Sequence, residues 1–330
     1  MMRCGAAIVA VAVVNSTACA LMAQRRGAAI AAAAASGPTP QQNARQSDLF
    51  RTSRRAVFAL ALAPRLARAA GPRRVLCAGA TGRSGRECVR ALDADARYEA
   101  VPMVRSAARW RDVSAEAGLA ARTAVEADVT VPATLDLALR RIDDIVCDIG
   151  FVPTFDSEAD RRAALAVDRD GVIALVEAAE RAKLPGRFVL VSSLLAGEVA
   201  ARDKTTSYRM LNGLGGVLDA KRVSEARLRE STLDWTILRP GVFVDAPQGG
   251  LVIGGEDRFL STSADARGLD RVSCKSPFFA SSGAACAITR SQCAEACVAA
   301  LSDAGASRRT LEVVARPDAL KLDALTSVVL

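Results

Sequence analysis

The residues of this chain that could do chemistry are narrowed at once by an absence: its 330 residues include no histidine. A Ser-His-Asp triad, a Cys-His pair and His metal sites are excluded within the chain, so acid–base work falls to Tyr, Lys, Asp, Glu or Cys. The nine cysteines show no CxxC spacing, and no metal site is expected. Cys77, Cys88 and Cys147 fall on predicted core elements and read as buried thiols. Cys274 and Cys286 flank a loop and could pair in an oxidising compartment; Cys293 and Cys297 stand four apart on a predicted helix.

The stretch that carries most is 73–85, RRVLCAGATGRSG. An apolar run, Val75 to Ala78, ends in Gly79, Gly82 and Gly85, and Arg83 to Asp93 then reads as a helix with Cys88, Val89 and Leu92 on its apolar face. Strand, glycine turn and helix seat a dinucleotide pyrophosphate. The first glycine allows the tight turn, the second lets backbone approach phosphate, and the third lets the helix pack on the strand. The spacing is G-x-x-G-x-x-G, and Gly79, Thr81, Gly82, Arg83, Ser84 and Gly85 are the expected contacts. Turns also need glycine for their own reasons, so the context carries this reading.

The second predicted strand, YEAVPMV (98–104), ends in Arg105-Ser106, with no carboxylate for the ribose hydroxyls of NAD. An Arg there suits a 2′-phosphate, which favours NADP over NAD; Arg109 and Arg111 would assist, the alternative being ordinary surface arginines. Asp128-Val129, ending the third strand, is expected beside the adenine, or else as a turn or helix-cap residue.

These residues need a parallel sheet to bring them together. Strands are expected at 98–104, 123–129, 142–150, 187–193, 235–241 and 310–315. Helices are expected at 107–121, 132–141, 157–183, 217–231 and 291–302. Their alternation calls for an α/β, Rossmann-like, doubly wound and mostly parallel sheet with helices on both faces. Residues 245–288 are rich in Gly, Ser and Ala and read as a long insertion at the carboxyl edge, so 72–330 forms one domain.

Charge separates the chain differently. Of the net +8, all lies in residues 1–71, which hold nine Arg and one acid, Asp48; the remainder balances at 35 basic and 35 acidic residues. The folded part therefore offers no electrostatic case for a nucleic-acid partner. Residues 1–71 read as a targeting presequence. One apolar core, GAAIVAVAVV, precedes Ala18-Cys19-Ala20, and a second follows Arg54-Arg55 and runs to Ala67-Arg68-Ala69 like a twin-arginine signal. That arrangement suits a plastid protein, with a thylakoid-lumen step through 54–69; a single plastid or mitochondrial transit peptide is the alternative. No segment reaches the length of a membrane span.

Taken together, GATGRSG, the VR after the second strand, ADVT, VDRDGV, FVLVSSL and NGLGGVLDAKRVSEARLRESTLDWTILRPG resemble an atypical short-chain dehydrogenase/reductase of the NmrA-like, plastid type, over about 73–245 and again at 289–315. The resemblance implies a Ser after the fifth strand and a Tyr-x-x-x-Lys on the next helix. Tyr moves the proton at the substrate oxygen, while Lys holds the nicotinamide ribose and lowers the Tyr pKa. Ser193 (or Ser192) matches the Ser and Lys221 the Lys, but Val217 stands where the Tyr belongs. Tyr208 lies nearby in sequence, on what reads as a polar surface loop, and would substitute only if that loop folds inward. Asp148 occupies a place where the family has a small apolar residue, and would be either a buried carboxylate near the nicotinamide or an outward-facing one. Arg239-Pro240-Gly241 closes the sixth strand, where the family's turn approaches the cofactor; it is otherwise a strand-ending turn. The resemblance thus implies an NADP(H)-binding oxidoreductase acting on a small carbonyl, enone or quinone-like substrate. Val217 keeps open a non-catalytic redox sensor or plastid assembly factor that binds a protein partner.

Overall fold

In β1 (Arg73–Ala78) the side chains alternate between two apolar clusters, Val75 and Cys77 on one and Leu76 and Ala78 on the other. Both faces of the strand are therefore buried, as a central parallel strand requires. A computed structural model describes residues 71–119, 122–204, 206–245, 249–257, 259 and 287–316. The expected presequence and most of the expected insertion, with Cys274 and Cys286, lie outside the described residues.

The glycine turn leads into α1 (Arg83–Asp93), followed by β2 (Tyr98–Val104) and α2 (Ala107–Glu116). The third strand is shorter than expected: β3 is only Val125–Glu126, pairing with the end of β2 at the sheet edge. The helix expected at 132–141 shrinks to a 3₁₀ turn at Pro132–Thr134 and a single turn, α3 (Leu135–Ala138). β4 (Asp144–Cys147) keeps only the middle of its predicted span.

The long helix expected at 157–183 is a composite. α4 (Ser157–Ala163), capped by Asp156, passes into a π-helical stretch, Ala164–Gly171, and then into α5 (Val172–Arg181). Gly171 sits where the π-helix ends because a Cβ there would stand 2.6 Å from Val129 Cγ2. Next come β5 (Arg187–Val191), α6 (Glu198–Asp203), α7 (Thr206–Asn212), α8 (Val217–Glu230) and β6 (Asp234–Pro240). Beyond them stand β7 (Val242–Val244), β8 (Gly250–Gly255), β9 (Ala287–Thr289), α9 (Arg290–Ser302) and β10 (Arg309–Arg316).

The main sheet has the order β3-β2-β1-β4-β5-β6-β10-β8, parallel except for β8, which runs antiparallel to β10. β8 falls inside the segment expected to be an insertion. Its Gly-rich sequence lacks period-2 alternation, yet Leu251 to Ile253 are buried, because β8 closes the sheet against β10. β7 and β9 form a separate parallel pair. α1, α2 and α9 cover one face, α3, α5 and α8 the other, as the doubly wound reading expects.

One buried ion pair ties α8 to the sheet. Arg239 of β6 donates from Nε to Glu225 Oε1 (3.1 Å) and from Nη2 to Oε2 (2.7 Å), with both side chains at most 1% exposed. Ser192 Oγ donates to the same Oε1 at 2.5 Å. Removing the carboxylate leaves the buried guanidinium with only the more exposed Glu256 (3.0 Å) and Asp257 (3.5 Å). Glu225→Ala is expected to destabilise the domain by about 3–5 kcal/mol, read as a lower urea midpoint.

Candidate functional site

The site is assembled at the carboxyl ends of β1, β4, β5 and β6, around the place where the strand order reverses between β1 and β4. Gly79 leaves β1 at φ +89°, and a Cβ on it would collide with the Asp148 carbonyl at the end of β4. Gly85, one turn into α1, packs so closely that its Cβ would collide with the Gly79 carbonyl. Only glycine satisfies both positions. Gly82 N–H closes the turn on Gly79 O at 2.8 Å. The N-terminus of α1 has Gly82 at its cap, no side chain bonded to it and no acid in its first turn, whereas Arg83 stands there. The first N–H groups of a helix have no partner within it, and with the helix dipole they favour an anion. Thr81 and Ser84 lie within the same turn. Arg83 and Arg290 both donate to Asp245 Oδ1 at 2.9 Å.

At the end of β2, Arg105, Arg109 and Arg111 are exposed, and none forms an ion pair among the described residues. The backbone there is held by capping: Ser106 Oγ accepts from Arg109 N–H (3.3 Å) and Glu126 Oε1 from Ala107 N–H (2.6 Å). A carboxylate does stand near this corner, then, but it comes from β3 and is spent on a helix start. Asp128 is a turn residue: its Oδ1 accepts from Thr130 N–H (2.9 Å) and Oγ1–H (2.8 Å). Val129 is buried against Gly171.

A cavity of about 300 Å³ opens beyond β5 and β6. Ser193, Leu194, Val217, Lys221, Pro240 and Phe243 are on its wall, which is mostly apolar. Val217 occupies the first turn of α8, one turn before Lys221, and presents a branched alkyl group where a phenol is expected. Ser192 also reaches the wall, but its hydroxyl is engaged by Glu225. Ser193 accepts weakly from Leu195 N–H (3.4 Å).

Lys221 Nζ pairs with Asp168 Oδ1 at 2.9 Å; the Asp168 side chain is fully buried and its Oδ2 accepts from Phe151 N–H at 2.9 Å. Burial works against the Lys221 ammonium, but Asp168 outweighs it and the pKa is raised. Lys221 is therefore a fixed cation rather than a proton donor.

Tyr208 belongs elsewhere. It is buried on α7, not on a surface loop, and its hydroxyl donates to Asp219 Oδ1 at 2.6 Å in a separate polar cleft. α7 packs against α8 through apolar contacts with Val217 and Leu218, which holds the phenol away from the cavity. Asp148 follows the strand alternation onto the α1/α9 face, that of Val146. Its Oδ2 is buried with no hydrogen-bond partner among the described residues, and desolvation pushes the carboxyl up to about 7 against the pull of Lys221 and Arg290.

A family model described as NAD(P)H-binding matches residues 79–269. The chain belongs to the NAD(P)H-binding family. It is 31% identical over 179 residues to an uncharacterized chloroplastic protein of Arabidopsis thaliana, a match covering 54% of each chain. It thus spans about half the length of that relative. It is 31% identical over 171 residues to a UPF0659 protein of Saccharomyces cerevisiae, covering 52% of this chain and 70% of the yeast protein. Among solved structures, a protein of the NAD-dependent epimerase/dehydratase type from Bacillus halodurans superposes with TM-score 0.55 at 23% identity, over 74% of this chain and 94% of its own. The anaerobillin reductase ChuY of Escherichia coli O157:H7 superposes with TM-score 0.51 at 20% identity, over 76% and 100%. At these identities the structures speak for the fold.

For an NAD(P)H-binding protein the glycine turn and the bare N-terminus of α1 fit a dinucleotide. Asp168 and Glu225 are the members of the site that residue-by-residue reading passed over. Asp168 is the first of two acids in VDRDGV, and the π-helical stretch turns it to Lys221. Among the described residues no helix is long and apolar enough to cross a membrane.

Two raised carboxyls, Asp148 and Glu312, each pushed by burial to about 7, set a pH dependence. The native state binds protons that the unfolded chain releases near pH 4, so stability falls as pH rises from about 4 through 7. Melting temperature is expected to drop between pH 5.5 and 8, less steeply in Asp148→Asn.

Proposed function

We propose that the protein is an NADP(H)-dependent reductase of small, conjugated, largely apolar carbonyl or quinone-like compounds. The observation that carries the reading is the pairing of the Gly79–Gly85 turn with an apolar cavity holding one fixed ammonium. Gly79, Thr81, Gly82, Arg83, Ser84 and Gly85 would hold the pyrophosphate. Arg105, with Arg109 and Arg111, would hold the 2′-phosphate, an assignment supported by their freedom from ion pairs among the described residues. Asp128 and Val129 would border the adenine with main chain, since the Asp128 carboxylate is committed to Thr130. Lys221, kept charged by Asp168, would bind the nicotinamide ribose, and Pro240 would flank the ring.

When bound, the reduced nicotinamide supplies a hydride. The chain's own part is to exclude water with Leu194, Val217 and Phe243 and to offer Ser193 as the hydroxyl at the substrate oxygen. Among the described residues no acid lines the cavity, so suitable substrates spread the negative charge left by hydride and are protonated by solvent once they leave it. That is the reason for preferring enones and quinones to simple ketones.

Val217 supports a second reading, in which the dinucleotide is held but not turned over and the protein is a redox sensor or assembly factor. The plastid assignment, with 1–71 as presequence and 72–330 as one domain, is supported by the composition of 1–71 and by the chloroplastic relative.

Titrating residues 72–330 with NADP⁺ and NAD⁺ by fluorescence tests the cofactor. Arg105→Ala is expected to weaken NADP⁺ at least tenfold and leave NAD⁺ within about twofold, the loss of a charge-assisted phosphate contact. Equal losses would remove the 2′-phosphate role. NADPH oxidation with a quinone and enone panel decides between the readings: binding without turnover selects the sensor.

A further inference from the structure

Asp148 is the half-buried carboxyl that the proposed chemistry leaves unused. Its main chain is pressed against Gly79, and its N–H donates to Ala78 O at 3.0 Å, so the residue is locked to the glycine turn. Its Oδ2 is buried and has no hydrogen-bond partner among the described residues. A buried carboxyl oxygen without a partner needs an account, because desolvation alone costs more than the fold gains from it.

The groups facing it come from every neighbouring element. β1 contributes Cys77 and α1 contributes Cys88; the Cys147 thiol and the Asp168–Lys221 pair lie on the other side of the β4 end, and α9 contributes Arg290. The three thiols and Lys221 are all pushed upward, away from neutrality. Burial drives Cys77 well up and Cys147 to about 12, and Cys88 is raised. Lys221 is raised by Asp168, whose carboxylate is held by Lys221 and Phe151 N–H. Arginine stays charged at any pH the protein survives. Beside the turn, desolvation pushes the Asp148 carboxyl up to about 7.

We propose that Asp148 is a proton-linked gate on the dinucleotide site: it admits the pyrophosphate in its neutral form, donating its O–H toward the anion, and opposes it when ionised. This rests on the dinucleotide reading above. A second anion placed beside a buried carboxylate is a like-charge pair in a weakly screening environment, and the pair relieves itself by taking one proton from solvent. Neutral Asp148 also supplies the hydrogen bond that Oδ2 lacks. Above neutrality each molecule of dinucleotide therefore binds together with one proton, and occupancy falls as pH rises, whether or not the bound cofactor is turned over.

The test is isothermal titration of the protein with NADP⁺ and with NAD⁺ between pH 7.5 and 8.5, in two buffers of different ionisation enthalpy. A phosphate monoester ionises near pH 6, so the 2′-phosphate is silent in this window. The wild type should take up close to one proton per dinucleotide and lose affinity about tenfold across that unit of pH. Asp148→Asn, nearly isosteric and never charged, should bind both dinucleotides with no uptake and no pH slope, and more tightly than wild type at pH 8.5. Binding by the wild type without proton uptake, or the same slope in both proteins, overturns the gate. The wild-type uptake alone decides the matter should the variant fail to fold. Absence of binding by both proteins at pH 6.5 and 8.5 is a different failure, that of the dinucleotide reading itself.

Discussion

Three pieces of backbone meet at Gly79, and the site depends on how closely they approach. Gly85 brings α1 onto the turn, and the turn in turn rests on the main chain of Asp148. With a Cβ at either glycine, helix and strand would separate, and the bare N-terminus of α1 would no longer face the gap between β1 and β4. Neighbouring parallel strands that send their helices to opposite faces leave a crevice at their carboxyl ends. Here that crevice is floored by main chain rather than side chains, which suits a ligand recognised through N–H groups and a dipole.

Around this floor the charged groups are sorted by burial. Those around the apolar cavity are buried and paired: Lys221 with Asp168, Arg239 with Glu225. Such pairs contribute little net stability but strongly resist the removal of one partner, so they hold α8 and the π-helical stretch in a single register. Those at the end of β2, Arg105, Arg109 and Arg111, are exposed and without ion pairs among the described residues. The first arrangement holds positions and the second leaves charge available, and a dinucleotide needs both at its two ends.

On the proposed reading, Val217 in place of the phenol that the resemblance implies shapes the chemistry more than any residue that is present. It leaves the cavity with a cation and a hydroxyl but no acid of suitable strength. The other tyrosine of this region cannot compensate, because α7 and α8 pack on their apolar faces and point the Tyr208 hydroxyl to Asp219. A cavity so equipped suits substrates that stabilise their own charge.

Local pattern was enough for the glycine turn, the exact spans of β2 and α1, most of α8 and α9, and the doubly wound class, since alternating apolar strands and amphipathic helices leave few ways to bury both faces of a sheet. Pattern failed where the signal is not local. β8 is a strand because β10 offers it an edge, and its Gly-rich sequence says nothing of this. The π-helical stretch, and with it the Asp168–Lys221 pair, follows from packing against α8 and Val129. The burial of Asp148 and of Tyr208 likewise depends on elements distant in sequence. By itself the sequence determined the absence of histidine chemistry, the missing phenol at 217 and the backbone for an anion. Tertiary structure decided which carboxyls are buried and which are paired, because desolvation and ion pairing are properties of neighbours brought together only by the fold.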